Sequence, residues 1–228
     1  MSFPEININK IATLPIETFR EMDFLAVRNY NLPIELMMEN AGLNLARLAA
    51  SLLPEKGQIL IGVGTGNNGG GGLVAARRLA AWGFEVFLDI PDQNLKKLPA
   101  SQLKKALTFG AKTEKPKHPK LFIDAYFGFS QRLPLPAIFE KTLETANQFS
   151  CPKISLDLPS GFNKHTFESL FKPDAILTLA AMKTELVALL ETVQIFVADL
   201  GIPSFVYKEF KTEIPDSFKT TGILQIKP

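Results

Sequence analysis

Seven of the chain's 15 glycines fall in one stretch, Gly62-Val63-Gly64-Thr65-Gly66-Asn67-Asn68-Gly69-Gly70-Gly71-Gly72, and what flanks that stretch decides the fold. Before it stands a short apolar run over 58–63, QILIGV. After it LVAARRLAAW (73–82) carries apolar residues at helical spacing and is closed by Gly83. A short apolar run bounded by breakers reads as a buried strand, and 84–90 (FEVFLDI) supplies a second one beyond the helix. The three pieces make a βαβ unit, which requires parallel pairing and a right-handed crossover. The alternation continues with a helix over 99–109 ended by Gly110, a strand over 121–125, a helix over 136–147, and strands over 153–157, 175–179 and 194–198. Apolar strands separated by amphipathic helices predict an α/β fold, a mostly parallel sheet covered on both faces.

Upstream, Phe19, Met22, Leu25 and Ala26 recur at helical spacing until Asn29-Tyr30-Asn31. Pro33 suits the first turn of a second helix, whose stripe Ile34, Met38, Ala41, Leu45, Leu48 and Leu52 runs to Pro54. These two form an N-terminal helical arm. No linker, repeat or low-complexity tract interrupts the rest, so residues 1–228 are expected to form a single domain, with the polar stretch 211–228 as a surface tail or edge extension.

Composition removes several classes of function. With 25 Lys+Arg against 23 Asp+Glu, the net charge of +2 gives no bulk attraction to nucleic acid or to an anionic membrane, and neither is expected as a partner. One cysteine, Cys151, and two histidines, His118 and His165, rule out a disulfide scaffold or a zinc finger. The N-terminal residues lack the unbroken apolar stretch of a signal peptide, and no run of about 18 apolar residues occurs; a soluble, cytoplasmic chain is expected.

In sheets of this kind ligands collect at the carboxyl ends of the strands, so the loops after the strands are where function is sought. Residues 64–69 fit G-x-G-x-x-G in the required strand-to-helix context, where backbone N–H groups and the helix dipole favour an anion or nucleotide over a purely structural turn. Asn67 and Asn68 add amide carbonyls that suit a cation or a ligand hydroxyl, or merely tolerate positive φ. After strand 121–125 comes Asp124-Ala125-Tyr126-Phe127-Gly128, a strand-end carboxylate followed by a glycine turn. After strand 153–157 comes Asp157-Leu158-Pro159-Ser160-Gly161, which makes Asp157 a candidate general acid/base. For both aspartates the competing role is a loop-bonding carboxylate.

These blocks, with Met37-Met38-Glu39-Asn40-Ala41-Gly42 in the second helix, Leu73-Val74-Ala75-Ala76-Arg77 after the glycines and Asp199-Leu200-Gly201-Ile202-Pro203 near the end, occur in family order. The sequence resembles the NAD(P)HX epimerase family, the YjeF N-terminal domain, over nearly its whole length. That resemblance implies a Rossmann-like three-layer αβα sandwich and interconversion of the R and S hydrates of NADH and NADPH, a nicotinamide nucleotide repair step. It also implies a homodimer and a separate or fused NAD(P)HX dehydratase as partner. Carried onto this chain, it implies that Asn67, Asn68, Gly69, Gly70 and Gly71 contact the hydrated dinucleotide. Gly128, Phe129, Ser130, Gln131, Arg132, Leu133 and Pro134 would form a second wall. Asn68, Asp124 and Ser160 would hold a potassium ion, and Asp157 would face the substrate. The hydrated carbon inverts if its hydroxyl leaves to give an iminium and returns on the other face, with Asp157 protonating the departing group and activating the returning water.

Thr65 stands where the family usually has proline, and two carboxylates of the family pattern are missing as well: Gly71 and Asn163 stand where aspartates are usual. They favour an alternative reading, a catalytically weakened scaffold for protein interaction. Asp89, about 20 residues beyond the glycine loop, favours another, a nicotinamide-dependent oxidoreductase that holds a ribose there. His165 lies near Ser160 without the G-x-S-x-G elbow of a hydrolase and reads as a solvated loop residue.

Overall fold

A computed structural model describes residues 2–53 and 55–228. Its centre is an eight-stranded sheet in the order β1-β10-β9-β7-β6-β5-β3-β4, formed by β1 (Glu5–Asn7), β3 (Gln58–Val63), β4 (Glu85–Asp89), β5 (Leu121–Ala125), β6 (Lys153–Leu156), β7 (Ala175–Leu179), β9 (Gln194–Ala198) and β10 (Ile223–Lys227). Every neighbouring pair is parallel except β10 with β9. A two-stranded ribbon, β2 (Thr13–Leu14) with β8 (Met182–Lys183), stands apart from it. The helices are α1 (Ile16–Tyr30), α2 (Ile34–Leu52), α3 (Asn67–Ala81), α4 (Lys97–Thr108), α5 (Ala137–Asn147), α6 (Ser204–Glu209) and α7 (Phe218–Thr221). No described helix is long and apolar enough to cross a membrane.

The three layers follow from which strand residues point which way. Ile59, Ile61, Ile123, Ile154 and Leu177 meet Leu45 and Leu48 of α2, Leu73 and Leu79 of α3 and Ala106 of α4 on one face. Leu60, Phe87 and Phe122 meet Phe139 and Leu143 of α5 on the other. Fully burying such side chains contributes about 1.5–3 kcal/mol each, the main force that holds the layers together. The helical arm is part of this architecture: α2 packs on α3, and Phe19, Met22 and Ala26 of α1 pack with Val206 and Tyr207 of α6.

Two expectations sharpen on the structure. The helix after the glycine loop begins at Asn67, not near Leu73, so Gly69 to Gly72 are helical. Four helical glycines cost roughly 1 kcal/mol each relative to alanine. They permit an approach that no side chain allows, since a Cβ at Gly72 would lie 2.6 Å from the Ala125 Cβ, and one at Gly69 would lie 1.9 Å from the Gly64 carbonyl oxygen. The polar stretch expected as a surface tail or edge extension instead ends in a strand inside the sheet, because β10 is paired by β1 on one side and β9 on the other and buries Ile223, Leu224 and Ile226.

The chain leaves β3 for β4 on one side and returns to β5 on the other. Helix α3 accordingly covers one face and α5 the opposite one, while α4 packs beside α3. The crevice opened by that reversal lies at the carboxyl ends of β3 and β5.

Candidate functional site

A cleft of about 490 Å³ occupies the crevice. Its lining comes from the loops after β3, β5 and β6, with α1 and α2 contributing Asp23, Met37, Met38 and Ala41 from above. At its β3 side Gly66 caps α3 without offering a side chain, so the leading N–H groups of that helix keep their partial positive charge. Asn67 is exposed there. Asn68 turns inward, and its amide Nδ2 donates to the Leu156 carbonyl at the end of β6 (3.3 Å).

Behind the lining, Asp124 is fully buried at the end of β5 and accepts four hydrogen bonds. Oδ1 accepts from the Ser160 hydroxyl (2.6 Å) and the Tyr126 N–H (3.2 Å). Oδ2 accepts from the Ser160 N–H (2.9 Å) and the Ser155 hydroxyl (3.0 Å). Burial pushes its carboxyl up to about 6, with these hydrogen bonds acting in the opposite direction. Gln131 ties the second wall to the Pro-Ser-Gly turn, as its Oε1 accepts from the Gly161 N–H (2.6 Å) and its Nε2 donates to the Pro159 carbonyl (3.2 Å).

Asp157 stands at the cleft wall just beyond β6 with φ at 70°, a left-handed conformation costing an aspartate roughly 1–3 kcal/mol, which the surrounding structure must sustain. The carboxylate is held from two sides. Oδ2 accepts the Phe129 N–H (2.7 Å), and Oδ1 lies 2.7 Å from the Nζ of Lys183, a charge contact without an aligned hydrogen bond. Lys183 is itself fully buried, donates to the Thr178 hydroxyl (2.8 Å) and sits 3.9 Å above the centre of the Phe19 ring. Half-buried Asp23 of α1 lines the same cleft. Its carboxyl is pushed up to about 6, first by burial and then by repulsion from Asp157, with Lys183 pulling the other way.

Of the positions expected to touch a ligand, Asn67, Asn68, Gly71, Gly128, Phe129, Ser130, Gln131, Arg132, Pro134 and Asp157 line the cleft. Gly69 and Gly70 are buried and face the protein, Gly70 against Met38 of α2. Leu133 lines a smaller neighbouring cavity with Phe162 and His165. Asp124 and Ser160 are brought together, while Asn68 bonds to the Leu156 carbonyl beside them. Asp89 takes no part, because its Oδ2 accepts from the Tyr126 hydroxyl (2.8 Å) and its Oδ1 faces the Nζ of Lys115 (2.5 Å). The carboxylate that favoured an oxidoreductase is therefore engaged within the protein. Sequence reasoning missed Asp23 and Lys183. The available signal was a lysine closing the otherwise uncharged run AILTLAAMK.

The side-chain atoms that this corner offers an ion, the Asp124 carboxylate and the Ser160 hydroxyl, are oxygens, and no cationic side chain offsets the buried charge. No three His, Cys, Asp or Glu side chains converge among the described residues. A hard monovalent cation fits this chemistry.

Comparison with known proteins agrees with this architecture. Residues 34–185 match the family described as YjeF-related protein N-terminus. An NAD(P)H-hydrate epimerase of Dehalogenimonas lykanthroporepellens is 35% identical over 209 residues, covering 86% of this chain and 85% of its own. One of Rhodopirellula baltica is 33% identical over 218 residues, covering 88% and 89%. The crystal structure of yeast ynu0 superposes with a TM-score of 0.82 at 23% identity, covering 94% of this chain and all of the yeast one, and so shares the fold. With the family match spanning most of the chain and relatives above 30% identity aligned along nearly all of it, the chain belongs to the YjeF-related N-terminal family.

Proposed function

We propose that this chain is an isomerase that interconverts the R and S hydrates of NADH and NADPH, acting as a single domain in nicotinamide nucleotide repair. The relatives named NAD(P)H-hydrate epimerase support the substrate class. The observation that carries the mechanism is Asp157, a buried carboxylate at the wall of the cleft, fixed by Lys183 and the Phe129 N–H.

The hydrated carbon bears a hydroxyl and the ring nitrogen. Loss of the hydroxyl as water lets the nitrogen lone pair form an iminium, and water adding to the opposite face gives the other epimer. Asp157 faces that carbon as the acid/base residue, and its charge stabilises the iminium beside it. The α3 N-terminus with Asn67, Asn68 and Gly71 receives the nucleotide's anionic part, and the wall from Gly128 to Pro134 encloses the ring. Asn68, Asp124 and Ser160 would hold a potassium ion, which supplies fixed positive charge at this corner of the cleft. The chain would work as a homodimer beside an NAD(P)HX dehydratase. A Thermofilum pendens relative named bifunctional NAD(P)H-hydrate repair enzyme, of which this chain covers 32%, supports such pairing.

Incubation of the pure protein with the R hydrate, followed by chromatography of the S form, tests the proposal. The wild type should exceed the spontaneous rate, and Asp157→Ala should lose at least ~100-fold. A wild type no faster than the spontaneous reaction would favour the scaffold reading instead.

A further inference from the structure

Resting on the epimerase reading, we propose that Asp23 is a second catalytic residue of the cleft, carrying the proton that the departing hydroxyl needs while Asp157 works as the ionised partner. Asp23 from α1 and Asp157 from the end of β6 line the same cleft, and Lys183 from β8 pairs with Asp157 behind it. The single cation is taken, since Lys183 lies 2.7 Å from Asp157 and spends its remaining donors on Thr178 and the Leu179 carbonyl. Both Asp157 oxygens are engaged, so placing a proton on either one would break a contact that holds the residue. Asp23 has no ion pair among the described residues, yet it lines the cleft beside a fixed negative charge. Two carboxylates sharing one desolvated site do not both ionise readily, and the one without the cation keeps its proton longer. The rise of Asp23 to about 6 agrees with this. The other charged residues lining the cleft are Lys96 and Arg132, and Glu209 of α6 accepts from the Tyr30 hydroxyl, two turns further along α1.

Inversion gives a second group a task that Asp157 would otherwise have to perform alone. Oxygen leaves from one face of the ring and arrives on the other, so a proton is given on one side and taken on the opposite side. In one direction protonated Asp23 transfers its proton to the hydroxyl. The C–O bond breaks with its electron pair leaving on water, and the nitrogen lone pair forms the C=N bond. Water then adds to the far face, the iminium π pair returns to nitrogen, and Asp157 accepts the proton released by that water. After product leaves, Asp157 releases its proton to solvent in the open cleft and Asp23 takes one up, so the starting state returns and the cycle consumes nothing. The reverse epimerisation exchanges the two roles.

The test compares wild type, Asp23→Asn and Asp23→Glu as folded proteins with matched melting curves. Asp23→Asn should lower kcat at least ~100-fold with KM changed less than about threefold, and should abolish the alkaline limb of the kcat–pH profile near 6. Asp23→Glu, which restores a carboxyl one methylene away, should recover at least about a tenth of the wild-type rate together with that limb. In parallel, carbon-13 carboxyl titration should place Asp23 near 6 in wild type and lower in Asp157→Asn. An active wild type whose Asp23→Asn variant keeps more than a third of kcat overturns the proposal alone. So does an Asp23 that titrates in the ordinary carboxylate range. A wild type without epimerase activity overturns the parent reading and this proposal with it.

Discussion

Asp124 and Asp157 end neighbouring parallel strands and are both buried, yet the protein holds them in opposite ways. Asp124 is surrounded by dipoles: four hydrogen bonds from hydroxyls and N–H groups, and no cationic side chain. Asp157 is held by a full charge, Lys183, with one N–H to orient it. Dipoles lock a turn in place but leave the burial of charge only partly compensated. An ion pair keeps a carboxylate ready for chemistry at the cleft wall, at the cost of burying a lysine. The first arrangement suits a structural corner that accepts an external cation, and the second suits a reacting group.

The strongest way to break this contrast is Lys183→Met. It strands Asp157 as an unpaired buried charge and should cost about 3–5 kcal/mol in urea unfolding. Adding Asp157→Asn should restore most of that stability, because neutral neighbours need no partner, while activity stays lost. If the double variant is no more stable than the single one, the pair is not what holds this side of the cleft.

The Asp124 corner should respond to pH and cation. Asp124 titrates higher in the folded chain than the ordinary 3.8, so it favours folding while protonated, and that stability is lost as pH rises from about 4 to about 6. At about 1.4 kcal/mol for each pH unit the loss reaches roughly 3 kcal/mol. Asp23 acts in the same direction, less strongly because it is only half-buried. Potassium should recover part of the loss at pH 7 and little at pH 4, whereas tetramethylammonium, too large for the corner, should recover none. Urea midpoints across this range check both statements, and equal effects of the two cations would contradict the assignment.

The glycine run allows the smallest and sharpest comparison. Gly72→Ala drives a Cβ to 2.6 Å from the Ala125 Cβ and should destabilise by about 1–3 kcal/mol despite the better helix propensity of alanine. Gly71→Ala meets only the flexible end of Leu156 at 3.0 Å, so its propensity gain of roughly 1 kcal/mol offsets the contact and stability should change little. Thermal melts of the two variants separate packing from propensity along one helix.

That helix also shows where sequence reasoning stops. Strands 58–63, 121–125, 175–179 and 194–198 were legible to the residue, because a strand buried on both faces is a short apolar run between breakers. The onset of α3 was not, since glycines propose a loop and only their contacts with Gly64 and Ala125 reveal a helix. β1, β2 and β8 are two or three residues long and exist by virtue of their pairing, which leaves no period to read. The site divides in the same way. Asp124 and Asp157 announce themselves at strand ends beside glycine turns. Asp23 follows the buried Met22 on an amphipathic helix and looks like the start of its solvated face, until the fold lays that helix over the cleft.

The central claim is that this cleft inverts a hydrated carbon through loss and return of water. The most direct test is epimerisation of the R hydrate in water enriched in oxygen-18. We expect the S form to appear faster than in the absence of protein and to carry one solvent oxygen for each inversion. Catalysed S hydrate without the label would contradict the water-loss route, and no catalysed S hydrate at all would contradict the function.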